Sequence, residues 1–246
     1  MSQFAAQSVA PIDAIDSRVG DMPVYAAKPA DSVQPPILIV VAEIFGLNDH
    51  IRDVVRRFAA EGYLSIAPDF FFRVGDPSQE QDIAAIRAIV MKVPDAQAMQ
   101  DFDAALAFAS TLGGDGTRAA ITGFCWGGRM AWLYAAHNPK LRAVVPWYGR
   151  LDGDRTENRP QWPIDVAERL AVPALGLYGG DDPSIPLELV EKMRERLGAA
   201  PAPGEIVVYP NAPHAFFADY RESYRKEAAQ DAFARMLDFL RAQGAA

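Results

Sequence analysis

Cys125 is the single cysteine of the 246-residue chain, and its surroundings read Gly123-Phe124-Cys125-Trp126-Gly127-Gly128. This has the form of the nucleophile elbow G-x-S-x-G with sulfur in place of the serine oxygen. Such an elbow carries its nucleophile on the sharp turn between a strand and a helix. Arg118 to Gly123 (RAAITG) reads as that strand, and Gly127 to Asn138 as that helix. Glycine is needed where other backbone closes in on the turn. A helix N-terminus aimed at Cys125 favours thiolate over thiol, and the Trp126 N–H becomes one donor for an oxyanion. The second donor is expected from the loop after Ile37 to Ala42, at Ile44. Against this stands the ordinary buried cysteine, a common core residue; the strand–turn–helix context favours the elbow.

A nucleophile so placed calls for an acid and then a histidine further along the chain. Of three histidines, His50 and His137 come too early for that order. A surface or capping role suits His50, and a helix C-terminal or surface role suits His137. His214, in Pro210-Asn211-Ala212-Pro213-His214-Ala215-Phe216, follows the last expected strand and is the candidate base. The acid belongs after Val172 to Tyr178, where Gly179-Gly180-Asp181-Asp182-Pro183-Ser184 offers two aspartates. One would be buried to orient the imidazole; the other would cap the turn or the next helix. Glu43 ends the Ile37 to Ala42 strand on the same rim, as a structural cap or as a group acting on the nucleophile.

These residues need a scaffold that brings strand ends together, and the chain provides one. Continuous β-branched runs such as ILIVVA (37 to 42) are typical of strands buried on both faces. Strands are expected at 22–27 (a short edge strand), 37–42, 63–68, 118–123, 141–147, 172–178 and 205–209. Helices are expected at 51–61, 77–112 with a break near Pro94, 127–138, 186–197 and 220–242. The alternation implies an α/β class with a mostly parallel central sheet and helices on both faces. Arg150 to Pro163 reads as a polar surface excursion, too short for a separate lid domain. With no repeat and no shift in composition, residues 1–246 form one expected domain, 1–20 being an N-terminal extension.

Half of the residues are hydrophobic and 23% are charged, as in ordinary globular proteins. A formal net charge of -8 repels polyanions, so neither nucleic acid nor an anionic membrane is an expected partner. Met1 to Ala10 has neither the basic nor the apolar segment of a signal peptide. No run suits a membrane span. One cysteine forms no intrachain disulfide and no multi-cysteine metal site. A cytoplasmic monomer without metal or organic cofactor is the expectation.

Taken together, the residues resemble the dienelactone hydrolase (carboxymethylenebutenolidase) family of α/β-hydrolases. The resemblance runs from about residue 20 through Glu43-Ile44-Phe45-Gly46-Leu47-Asn48, Gly62-Tyr63, Pro68-Asp69-Phe70, the cysteine elbow, Trp147-Tyr148-Gly149, the Gly-Gly-Asp-Asp turn and Pro213-His214-Ala215-Phe216. It implies an α/β-hydrolase fold and a triad of Cys125, Asp182 and His214, with Asp182 rather than Asp181 as the acid. It also implies that Glu43 governs ionisation of the thiol, a carboxylate being freed by substrate to take the thiol proton. Of the two arginines that hold the substrate carboxylate in that family, Arg73 matches the first. The second falls at Ala218, and Arg221 lies close enough to substitute. Tyr148 is a further candidate substrate-binding residue.

The expected activity is hydrolysis of a small enol-lactone or activated ester, anionic ones included, through a thioester on Cys125. A thiolate leaves a tetrahedral intermediate more readily than an alkoxide, so only esters with stabilised leaving groups go forward. Three alternatives remain. The first is a broader cysteine-type carboxylesterase or thioesterase on neutral substrates, and the second a non-catalytic binding protein of the same fold. The third is a redox sensor using its one cysteine.

Overall fold

The computed structural model describes residues 11–246. The expectation that Met1 to Ala10 holds no leader lies outside the described residues. Eight strands, β1 (Ile12–Val19), β2 (Met22–Pro29), β3 (Pro36–Val41), β4 (Leu64–Pro68), β5 (Asp115–Phe124), β6 (Ala143–Trp147), β7 (Ala174–Gly179) and β8 (Gly204–Tyr209), form one sheet. Their order is β1-β2-β4-β3-β5-β6-β7-β8. β1, β2 and β4 pair antiparallel, and every pairing from β4 to β8 is parallel.

The helices are α1 (Asp49–Ala60), α2 (Ile83–Val90), α3 (Asp95–Thr111), α4 (Trp126–His137), α5 (Pro163–Val166), α6 (Leu187–Leu197) and α7 (Lys226–Ala242). α1 packs on β2 and β4 and meets α7 through stacked Phe58 and Phe233. On the other face α3, α4, α5 and α6 touch in succession. The central strands are therefore covered twice, and β3, β4, β6 and β7 are buried throughout. That is the physical reason for their unbroken apolar runs.

Three sequence expectations need correction. The segment expected as a bare extension contains β1, which pairs with β2 from Ile12↔Pro29 to Val19↔Met22. β2 is therefore an inner strand and not the edge. β1 escapes the pattern because an edge strand alternates half-exposed with exposed residues and buries none of them fully. The C-terminal helix begins at Lys226, and residues 218–225 are a chain of turns closed by Arg225 N–H to Phe216 O. This frees Tyr220 and Arg221 from a helix surface. The 150–163 excursion also packs inward, with Leu151, Arg159 and Trp162 buried.

Candidate active site

Cys125 sits between β5 and α4 with φ 54° and ψ -111°, a backbone conformation that side chains other than glycine rarely adopt. Such strain persists only where the surroundings over-determine it. Here the Cys125 N–H donates to Trp147 O at 3.0 Å, and its carbonyl accepts from Arg129 N–H at 3.1 Å. A Cβ on Gly123 would run into the carbonyl of Gly127, and one on Gly127 into the carbonyls of Val41 and Ala42. Elbow and β3 end thus press backbone to backbone, and only glycine allows it. The sulfur-bearing residue stays partly exposed. Trp126, as first residue of α4, has an N–H without an intrahelical acceptor. Ile44 lies in the loop that leaves β3 beside it.

His214 and Asp182 stand on the turns after β8 and β7. Their Nδ1 and Oδ2 atoms are 2.6 Å apart. Asp182 is buried, with its other oxygen accepting from the backbone N–H and hydroxyl of Ser184 at 2.9 and 2.6 Å. Burial alone would raise the Asp182 carboxyl; the hydrogen bonds and the charge of His214 outweigh it and hold it below its ordinary value. Burial likewise works against a charged His214, but hydrogen bonds to Asp182 and to Cys125 carry its pKa up to about 10. The imidazole therefore meets the carboxylate at Nδ1 and feels the sulfur as a second partner. An ordered set of sulfur, imidazole and carboxylate can form a nucleophile, move its proton and orient the base that does so. Asp181, the other aspartate of the turn, is exposed.

Glu43 is buried beside this set, and burial pushes its carboxyl up despite the opposing charges of Arg221 and His214 and a hydrogen bond from Tyr148. Arg221 Nη1 is 3.3 Å from Glu43 Oε2, while Oε1 is buried without a hydrogen-bond partner. The Arg221 guanidinium lies over the Phe45 ring at 4.5 Å and near that of Tyr220. Tyr148 is also buried, at φ 37°, with its ring edge-on to His214 at 5.1 Å. Burial, and after it the nearby Glu43, keep its phenol well above the ordinary value. It thus reaches Glu43 and His214 from beneath.

The structure brings Cys125, His214, Asp182, Glu43 and Tyr148 together, with Trp126 and Ile44 at the elbow. Arg73 makes a two-pronged pair with Asp101 at 2.7 and 2.9 Å, and its neighbours Phe70 and Phe71 pack on Trp126. Ala218 is buried, and the cation near the cluster is Arg221. Sequence reasoning missed Ser184; a hydroxyl two residues after the expected acid was its one signal. It also missed the partner of Arg221, for which no local pattern exists. His50 pairs with Asp219 at 3.3 Å and His137 with Asp103 at 2.9 Å, each away from the sulfur. A cavity of about 960 Å³, lined by His50, Asp53, Arg57, Asp219 and Tyr220 among others, opens beside the cluster rather than over Cys125. Among the described residues no group could hold a metal ion, and no helix is long and apolar enough to cross a membrane.

Comparison with known proteins identifies the family. The model of the dienelactone hydrolase family matches residues 22–244. A protein of Escherichia coli (strain K12) that bears the name carboxymethylenebutenolidase is 53% identical over 238 residues, covering 96% of this chain and 88% of that one. A Bradyrhizobium protein named as a 2-oxo-3-(5-oxofuran-2-ylidene)propanoate lactonase is 32% identical over 222 residues, 88% of each chain. A crystal structure described as a dienelactone hydrolase from Klebsiella pneumoniae subsp. pneumoniae MGH 78578 superposes with a TM-score of 0.92 at 51% identity. It covers 94% of this chain and 99% of that one.

Proposed function

The chain belongs to the dienelactone hydrolase family of ester-cleaving α/β-hydrolases, and from that premise we propose that it opens small enol-lactones or activated esters through a thioester on Cys125. The observation that carries this reading is Cys125 held at φ 54° beside an imidazole that is itself 2.6 Å from a buried carboxylate.

In the first half-reaction the sulfur adds to the ester carbonyl, and the oxyanion rests on the N–H groups of Trp126 and Ile44. Collapse breaks the C–O bond; the leaving enolate or phenolate takes the proton held by His214, and a thioester remains. In the second half-reaction neutral His214 takes a proton from water, the hydroxide adds, and the C–S bond breaks. Carboxylic product and sulfur nucleophile are restored. Asp182 keeps the imidazole oriented in both halves. The triad lies within one chain, so a monomer suffices.

Glu43 enters before the first step. Its carboxyl prefers the neutral form by burial and is held towards the charged form by Arg221. A substrate carboxylate that draws Arg221 to itself leaves Glu43 without its cation, and Glu43 then accepts the thiol proton. Arg221 takes the place that Ala218 cannot fill, with Arg73 available only if it leaves Asp101.

That last point also supports a second reading. Both candidate cations are engaged, Arg221 with Glu43 and Arg73 with Asp101, so neutral activated esters would enter without breaking an ion pair. Turnover of paired neutral and anionic aryl esters decides between the two. The thioester itself is tested with Cys125→Ala, which is expected to lower kcat at least about a thousandfold. Intact mass should show an acyl adduct in the native protein and none in the variant. Activity that survives the substitution overturns the reading.

A further inference from the structure

Asp182 does not face His214 alone. The hydroxyl of Ser184 lies 2.6 Å from Asp182 Oδ1 and 3.3 Å from His214 Nδ1, so one side chain touches both members of the pair. A serine hydroxyl has a single proton. The shorter distance and the negative charge assign that proton to Asp182, and the oxygen lone pairs are what Ser184 turns towards Nδ1–H. Together with its backbone N–H at 2.9 Å, Ser184 supplies two of the three donors around the buried carboxylate; the imidazole is the third.

We propose that Ser184 is a positioning residue of this relay, holding Asp182 against His214 and limiting how firmly the imidazole keeps its proton while the thioester is hydrolysed. The proposal rests on the thioester reading above. Its logic lies in the difference between the half-reactions. In the resting protein His214 meets Cys125 from the elbow, Glu43 and Tyr148 from the loops after β3 and β6, and Asp182 from the loop after β7. Once the sulfur is acylated it carries no charge, and its hold on the imidazole proton ends. The carboxylate is then the principal group favouring return of a proton to the imidazole, and His214, left neutral by the leaving group, must stay neutral to act as the base towards water. A carboxylate already served by two donors from Ser184 holds the third less tightly. Removing the hydroxyl takes its lone pairs from Nδ1–H at 3.3 Å, but the loss of the donor 2.6 Å from the carboxylate is the larger change; negative charge then concentrates on the side facing the imidazole and raises the pKa of His214.

The test begins without turnover. In a Cys125→Ala background, which imitates the uncharged sulfur, the ring C2–H of His214 is titrated by NMR. Only three histidines occur in the chain, so Gln variants of His50 and His137 assign the signals. Adding Ser184→Ala is expected to move the His214 titration upward by about half a unit to one unit. With Cys125 present, Ser184→Ala should keep its burst of released leaving group. Its kcat near neutral pH should fall about three- to tenfold, with the acid limb displaced upward by the same interval. Acyl-enzyme then accumulates in intact mass, and Ser184→Thr restores both profile and mass. A purely structural role would lower kcat equally at all pH values and leave its limbs in place. An unmoved titration, meaning that water serves Asp182 as well as the hydroxyl does, overturns the proposal. Turnover that persists in Cys125→Ala overturns the thioester reading instead, and the NMR shift still judges the hold of Ser184 on the pair.

Discussion

Two arginine–carboxylate pairs, each with a buried carboxylate, are built to opposite specifications. On α4, Arg129 grips Asp95 with both prongs at 2.7 Å, donates to Gln161 O at 2.8 Å and lies over the Trp162 ring at 4.4 Å. Only its Nε is left over. At the site, Arg221 reaches Glu43 with one nitrogen at 3.3 Å, and the other carboxylate oxygen is buried without a partner. The first pair has every carboxylate oxygen satisfied, and it ties α3, α4 and the 150–162 segment into one body. The second is incomplete, with a carboxyl pushed by burial towards its neutral form. A buried polar atom left unsatisfied costs stability. It persists where something other than stability is served, and in the proposed mechanism that is acceptance of the thiol proton. Saturation marks the pair that holds the fold; incompleteness marks the pair expected to change partner.

The contrast is broken most directly at Asp95. Asp95→Ala strands the Arg129 cation in the interior and should cost about 3–5 kcal/mol, lowering Tm by about 10 °C, with activity per folded molecule retained. Replacing both partners, Asp95→Leu with Arg129→Met, should recover most of that loss. If Asp95→Ala were as stable as the native protein, the pair would not be the clamp described here. Glu43→Gln should do the reverse, keeping the fold while lowering kcat/KM for anionic activated esters about 10- to 100-fold, a step of about 1.4–2.7 kcal/mol. Next in size, Arg221→Ala should raise KM for acidic substrates about tenfold and for neutral ones hardly at all. Equal effects on both would remove Arg221 from substrate binding and favour the neutral-ester reading. Arg73→Ala, which breaks an ion pair with Asp101 rather than with Glu43, tests the other candidate cation: a selective rise in KM for acidic substrates would show that Arg73 leaves Asp101 to bind them.

How much of this was legible beforehand follows the same division. The elbow could be read because close backbone approach demands Gly123 and Gly127 within a few residues of Cys125. The place of His214 followed from strand ends and chain order, which also gave the acid's turn; the choice of Asp182 over Asp181 came from the family resemblance. Contacts between distant segments were not legible. Nothing local to Arg221 announces Glu43, and the pairs Arg73–Asp101 and Arg129–Asp95 depend on how α3 docks against the sheet. β1 went unread because Ile12–Val19 buries no residue completely, so hydrophobic period carries little signal there. Periodicity also overran the start of α7, since the turns from Ala218 to Arg225 satisfy their backbone groups much as a helix would. That short irregular stretch is what places Arg221 against Glu43.

The finest test of the contrast is the pH dependence of stability, where the two titrating groups of the site pull in one direction. For Glu43 the folded-state pKa is raised, so the native protein binds this proton more tightly than the unfolded chain does. Its contribution is then present at pH below the ordinary carboxylate range and is lost as pH rises through the folded value. Glu43→Gln removes that loss and should raise Tm at neutral pH by about 1–3 °C, an advantage that fades on acidification. For His214, raised to about 10, stability is full below the unfolded value near 6.5 and drains away between there and about 10. His214→Gln should therefore lower stability on the acid side, where that contribution is full, converge with the native protein near pH 10 and flatten the fall between. Native, Glu43→Gln and His214→Gln proteins melted from pH 5 to 10 would sink the contrast if their curves ran parallel.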